Sequence, residues 1–164
     1  MDVSDWTIDQ RMRFPDWCFG NRQLIGLYLS NDAPGTDAFA ISPIVLPDPV
    51  CIWCLEYLAM FEAGGSGYYR AGLADSLPAD EAEMNNALEI YPNWGILQAG
   101  PNRLPIVSPD PLHIVVQLRK GMVLGGKKLV IQNHCEGAKG RLNFWLLISS
   151  VPTDMAGWLA HSKV

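Results

Sequence analysis

No run of apolar residues in the 164-residue chain approaches the length of a membrane-spanning helix. Charged residues are scarce, at 18%. Four cysteines (Cys18, Cys51, Cys54 and Cys135) are too few and too irregularly spaced to form a disulfide framework. The opening "MDVSDWTIDQRMRF" is polar and acidic, unlike a secretory signal or a transit peptide. These absences lead to the expectation of a soluble, intracellular protein with reduced thiols. Standard enzyme signatures are missing too. "GGSGYYR" and "GMVLGGKK" are rich in glycine but match neither a phosphate-binding loop nor a dinucleotide fingerprint, and they read as turns. "CIWC" (51–54) has the spacing of half a zinc site or a redox pair. No second such pair and no closely spaced histidines complete four ligands, so its cysteines are expected to pack in a core. No cofactor, no metal and no enzymatic activity are expected.

What is present is apolar and much interrupted. Hydrophobic residues make up 49%, and 12 prolines and 15 glycines are spread along the chain, the texture of many short elements joined by turns. The length suits one domain able to bury a core without covalent staples. Its expected parts are an N-terminal extension (1–20), a β-sandwich (21–151) and a C-terminal tail (152–164). The net charge of −5 argues against a protein that coats nucleic acid over its whole surface. The charge is uneven, however. Residues 1–102 hold four arginines against fourteen acids, whereas residues 103–164 hold eight basic residues against three acids. The basic residues cluster at Arg119–Lys120, Lys127–Lys128 and Lys139–Arg141. They read either as solvated hairpin rims or as a weak patch for nucleic acid or an acidic partner.

Alternation marks the strands. "RQLIGLYLS" (22–30) sends Leu24, Gly26 and Tyr28 one way, and Ile25, Leu27 and Leu29 the other. "NDAPGTD" is dense in turn formers. "AFAISPIVL" (38–46) is a second strand, which Pro43 places at an edge or a bulge. Residues 47–67 have the punctuation of a helix, with Asp48, Pro49 and Gly64 at its ends. Yet Val50 to Phe61 would be apolar all round a helix except at Glu56. A long strand is therefore expected, with Cys51, Trp53, Leu55, Tyr57, Ala59 and Phe61 on one face and "GYYRAGLADS" as its partner. "LPADEAEMNNALEIYP" (77–92) is the best helix candidate, short and within a connection. Short strand pieces alternate with turns over 93–107. Strands over 112–119, 127–134 and 141–151 close the chain. Seven or eight strands with one short helix suit an all-β fold, an antiparallel two-sheet sandwich or barrel.

"QNHCEGAKG" (132–140) sets His134, Cys135 and Glu136 side by side: a base, a nucleophile and an acid. Neighbours on a strand point to opposite faces, so His134 and Cys135 would diverge. The stretch reads as a strand end and a hairpin loop with a solvent-facing Cys135. A Cys/His hydrolase using Cys135 with His113 or His134 is the enzymatic alternative. Trp53 and Trp145 fall mid-strand, where core positions are expected. Trp6, Trp17 and Trp158 lie near the chain ends and are candidates for contacts with another chain.

The order of elements resembles the jelly-roll shell domains of small icosahedral viruses. There, a long strand like "CIWCLEYLAMFEAGGSGYYRAGLADS" rises and returns. A polar insertion like "LPADEAEMNNALEIYP" follows, then a stretch like "NWGILQAGPNRLPIVSPDP", and hairpins like "KKLVIQNHCEGAKGRLNFWLLISSVP" end the shell. The resemblance covers roughly residues 14–152. It implies a jelly-roll sandwich that self-assembles into homo-oligomers or particles, with copies of itself and other capsid chains as partners. It also implies a place in a virion or the host cytoplasm. The chain lacks the basic N-terminal arm of many RNA-virus shells, so genome contact would fall to the basic loops or to another chain. A β-sandwich module that binds a glycan or a protein is the other alternative.

Overall fold

A computed structural model describes residues 20–48, 50–62, 65–90, 97–99, 104–107, 112–123 and 126–150. Its strands run β1 (Gln23–Asn31), β2 (Thr36–Val45), β3 (Val50–Phe61), β4 (Ser66–Ala74), β5 (Leu88–Ile90), β6 (Leu97–Ala99), β7 (Leu104–Val107), β8 (Leu112–Val123), β9 (Lys128–Glu136) and β10 (Gly140–Ser150). One short helix, α1 (Glu81–Met84), lies between β4 and β5.

All the pairings are antiparallel, and they make two sheets. The first has the order β1-β10-β3-β8; the second has β2-β9-β4-β5-β6, with β7 also paired to β4. Setting aside the short β5 and β6, eight strands divide into two four-stranded sheets, the chain crossing between them at every step except from β4 to β7. That is the jelly-roll arrangement expected from the sequence. Between the sheets the inward side chains form one apolar layer that includes Ile25, Leu29, Leu55, Tyr57, Tyr69, Leu73, Ile131, Leu142, Phe144 and Leu146.

Local chemistry explains the corners. Asn31 is buried at the β1–β2 turn. Its amide donates to the carbonyls of Thr36 (2.8 Å) and Asn133 (2.9 Å), and its side-chain oxygen accepts from the Ala33 N–H (3.2 Å). Pro43 lies in β2, which is both the edge strand of its sheet and irregular between Ile41 and Val45, so the missing N–H interrupts no central ladder. Gly67 is required by close approach: a Cβ there would overlap the His134 carbonyl oxygen and the Phe61 ring.

Three expectations need correction. The helix candidate over 77–92 narrows to one turn. Asp80 caps it by accepting from the Glu83 N–H (2.9 Å), and Glu83 reaches back to the Ala79 N–H (2.8 Å). Leu88, expected in the helix, instead begins β5, where β4 offers a free ladder. Second, Trp53 does not share a face with Leu55. Cys54 pairs with Leu147 and Ile52 with Ile148, so Trp53 is an extra residue in β3 and reverses the alternation. Val50 and Ile52 point into the core before it, and Leu55, Tyr57, Ala59 and Phe61 after it. Trp53 is still buried, with its indole N–H donated to Ser149 Oγ (2.8 Å) and the Arg22 guanidinium 4.0 Å above its ring. Third, Trp145 is not a core residue. It alternates with the buried Phe144 and Leu146 and lies, partly exposed, across from Gly26.

Leu55→Ala opens a cavity at a fully buried site and is expected to lower the unfolding free energy by about 2–5 kcal/mol. Gly67→Ala is expected to destabilise strongly although it adds a single methyl, because the obstacle is backbone. Urea titrations of the two variants against wild type check both. A Gly67→Ala midpoint equal to that of wild type would contradict the close packing of β4 on β9.

Candidate functional site

The reactive stretch falls on β9, which runs through Glu136, so Cys135 is a strand residue and not part of the hairpin loop. The turn itself is Gly137 to Lys139, with Gly137 at φ 75°. Strand alternation sends Leu129, Ile131 and Cys135 into the core, and Gln132 and His134 to the outer face of the second sheet. The expected solvent-facing Cys135 is therefore overturned: the residue is 0% exposed, with its Sγ 3.6 Å from the Asn31 carbonyl and 3.7 Å from that of Ala33. Burial pushes its thiol above the ordinary range. That shift runs against the thiolate a nucleophile needs.

His134 and Cys135 diverge, as alternation requires. Outside, His134 Nδ1 lies 3.0 Å from Asp37 Oδ1 and Nε2 lies 3.3 Å from Glu136 Oε1, while the ring stacks on Tyr68 with centroids 4.6 Å apart. Both ring nitrogens thus face carboxylates, and neither is aimed at a thiol. His113, the other proposed base, is exposed on β8 in the first sheet and bonded to Glu56 (2.8 Å). Among the described residues the Cys/His arrangement does not form.

The cluster around His134 extends inward as a chain of polar contacts. Gln132 donates to Asp37 (2.7 Å) and faces the Arg70 guanidinium (3.4 Å), which also donates to Asn85 (2.9 Å) and lies 3.5 Å from the Met84 carbonyl. Arg70 is buried. It fastens the connection bearing α1 onto the sheet, where Met84 and Ala87 pack against Val130. Sequence reasoning missed this role. The available signal was an arginine inside an otherwise apolar strand. Tyr68 adds a contact to Glu81 (3.2 Å). A shallow cleft of about 260 Å³ beside α1 is lined by residues including Asp75, Glu83 and Lys127. Among the described residues no group of three or more His, Cys, Asp or Glu side chains could hold a metal ion.

Among the described side chains the basic residues do not form one patch. Lys127 and Lys128 sit at the start of β9, whereas Lys139 and Arg141 sit beyond its end, roughly 25–30 Å away at the rise of a strand. Lys127 pairs with Asp75 (2.8 Å) and Arg141 with Asp32 (2.9 Å). Arg119 and Lys120 lie on β8 where the pairing to β3 is irregular, and their side chains are outside the described residues. Trp6, Trp17 and Trp158 are also outside the described residues.

No protein-family model matches the chain, and no curated protein matches it. Solved structures do. Two structures of infectious bursal disease virus are similar over 82% of the chain (Gx strain, 10% identity, TM-score 0.35) and 81% (Gt strain, 6% identity, TM-score 0.39). A crystal structure of the VP2 subviral particle of that virus is similar over 83% (8% identity, TM-score 0.34). The chain spans about a third of each of those chains (33%, 33% and 34%). The fold assignment rests on the strand order itself.

Cys135 is expected to react with a thiol reagent at neutral pH more slowly than a free thiol, and at the free rate once the chain is unfolded. Reaction at the free rate in the folded protein would contradict its burial. Burial also raises the Tyr57 and Tyr69 hydroxyls. All three groups hold their protons more tightly folded than unfolded. Their contribution is therefore complete below the unfolded values and falls as pH rises through about 9–10. Urea midpoints measured from pH 7 to 11 should decline in that upper window, and less steeply for Tyr69→Phe.

Proposed function

We propose that the chain is a structural self-assembly protein, a capsid-like jelly roll that forms homo-oligomers or particles and catalyses no reaction. The observation that supports this reading best is the jelly-roll strand order around a filled interior. The same architecture serves shells, lectins and cupins, so the fold alone does not choose among them. Cupin-type chemistry needs polar ligands converging inside the sandwich. Here that space holds Leu55, Tyr57, Tyr69, Phe144 and Leu146 in contact. What the molecule does, it does with its surfaces. The burial of Cys135 removes the one nucleophile-and-base arrangement that the sequence suggested.

In this reading the partners are copies of the chain and other shell chains, and the setting is a virion or the host cell. The basic residues Lys127, Lys128, Lys139 and Arg141 divide between the two ends of β9, an arrangement suited to separate rim contacts with acidic neighbours. Arg119 and Lys120 would add to such contacts from β8, and Trp6, Trp17 and Trp158 to contacts between chains. Size-exclusion chromatography with light scattering, followed by negative-stain imaging, tests the proposal. Closed particles or defined oligomers whose mass rises with concentration are expected. A monomer at every concentration would overturn it.

A further inference from the structure

The two sheets differ in what they turn outward. An antiparallel sheet with one buried face ordinarily presents polar residues on the other. The second sheet follows that rule at Asp37, Gln132 and His134, the connection bearing α1 covers its apolar part at Val130, and its exposed apolar residues among those described are Ile44 and Val45 at the end of the edge strand β2. The first sheet mixes the two, with Ser30, Glu56, Arg141 and Asn143 set among a larger apolar group. Its outer face carries Leu24 (64% exposed) and Tyr28 (59%) from β1, Met60 (40%) from β3 and Val115 (50%) from β8. Leu58, Trp145 and Leu147 are partly exposed between them. The registers make these one surface: Leu24 pairs with Leu147, Trp145 pairs with both Gly26 and Glu56, and Glu56 pairs with Val115. Gly26 leaves the space that Trp145 occupies, since a Cβ there would come within 2.8 Å of the indole. The Glu56 carboxylate in the middle of this face is already engaged by His113 at 2.8 Å.

We infer that this face is the contact between two copies of the chain, packed sheet against sheet; the inference rests on the self-assembly reading above. A flat face with its central carboxylate already partnered suits a second copy of itself, because a two-fold contact sets each patch against the same patch. Apolar sheet faces stack about 10 Å apart by interdigitating their side chains, and aromatic residues with few charges are what the centre of such contacts contains. The area suffices. Four strands about 4.8 Å apart, with a rise of about 3.3 Å per residue, present roughly 600 Å² per copy, so a pair buries about 1,200 Å², the lower bound for stable contacts.

Leu24→Lys and Val115→Lys in the full chain test the inference, with Leu77→Lys as a control on the connection outside this face, where Leu77 is 50% exposed. All three substitutions fall on exposed side chains, so far-UV circular dichroism and melting midpoints should match wild type. By light scattering, Leu24→Lys and Val115→Lys are expected to raise the concentration at which copies associate by tenfold or more, and Leu77→Lys to leave it unchanged. If both face variants associate like wild type, this face is not the contact although the self-assembly reading stands. A wild type that stays monomeric at high concentration overturns both, and leaves the face to the chain's own ends or to a different protein.

Discussion

The contact between Tyr57 of one sheet and Tyr69 of the other holds the centre of the sandwich, with ring centroids 4.6 Å apart and planes tilted by 50°. Phe144 extends it along the first sheet, stacked on Tyr57 at 6.5 Å. These large rings span the gap between sheets that a layer of aliphatic residues would leave loose, and tilted pairs add about 0.5–1.5 kcal/mol beyond the area they bury. A core built this way fills the space between the sheets at these positions. Its demand for inward alternation, broken in β3 at Trp53, also decides where polar side chains go.

That demand made much of the fold legible in the sequence. On β1 the split between Leu24, Gly26 and Tyr28 and between Ile25, Leu27 and Leu29 is the split between outer face and core. Pro43 revealed an edge, because a missing N–H is tolerated where no second strand pairs. The divergence of His134 from Cys135 followed from the same period of two. What was not legible depends on events that break the period or extend a strand. The extra residue at Trp53 leaves no compositional mark. "CIWC" looks like any apolar run, and only the pairing to β10 shows where the face reverses. In sequence Cys135 and Glu136 read as loop residues, which ends the expected strand at His134, two residues short of the end of β9. In the structure Gly137, with its positive φ, makes the turn, and the two residues before it remain paired to β2 or β4. Leu88 was assigned to a helix on local propensity, and the open edge of β4 overrode that preference.

The candidate site was legible in its parts but not in its assembly. Base, thiol and carboxylate are adjacent in sequence, yet the strand divides them between a dry interior and a polar outer face. On that face His134 belongs to a chain of contacts that runs through Asp37, Gln132 and Arg70 to Asn85. Arg70 is the costly member, a buried cation, and such a group is tolerated when several acceptors surround it. Its acceptors come from the connection and from β9, so it fixes the connection over the sheet. The cluster therefore does the work of a latch.

The latch sets up the asymmetry between the two outer faces. Where Arg70, Met84 and Ala87 hold the connection down, the second sheet is covered at Val130. Over the first sheet no comparable element lies among the described residues, and alternation sends outward Leu24, Tyr28, Met60 and Val115 together with the polar Glu56, Arg141 and Asn143. Antiparallel sheets with one solvated face do not need large apolar residues there, and they lose solubility by carrying them. The two sheets therefore differ at their outer faces, the second partly covered by the connection and the first carrying exposed apolar side chains.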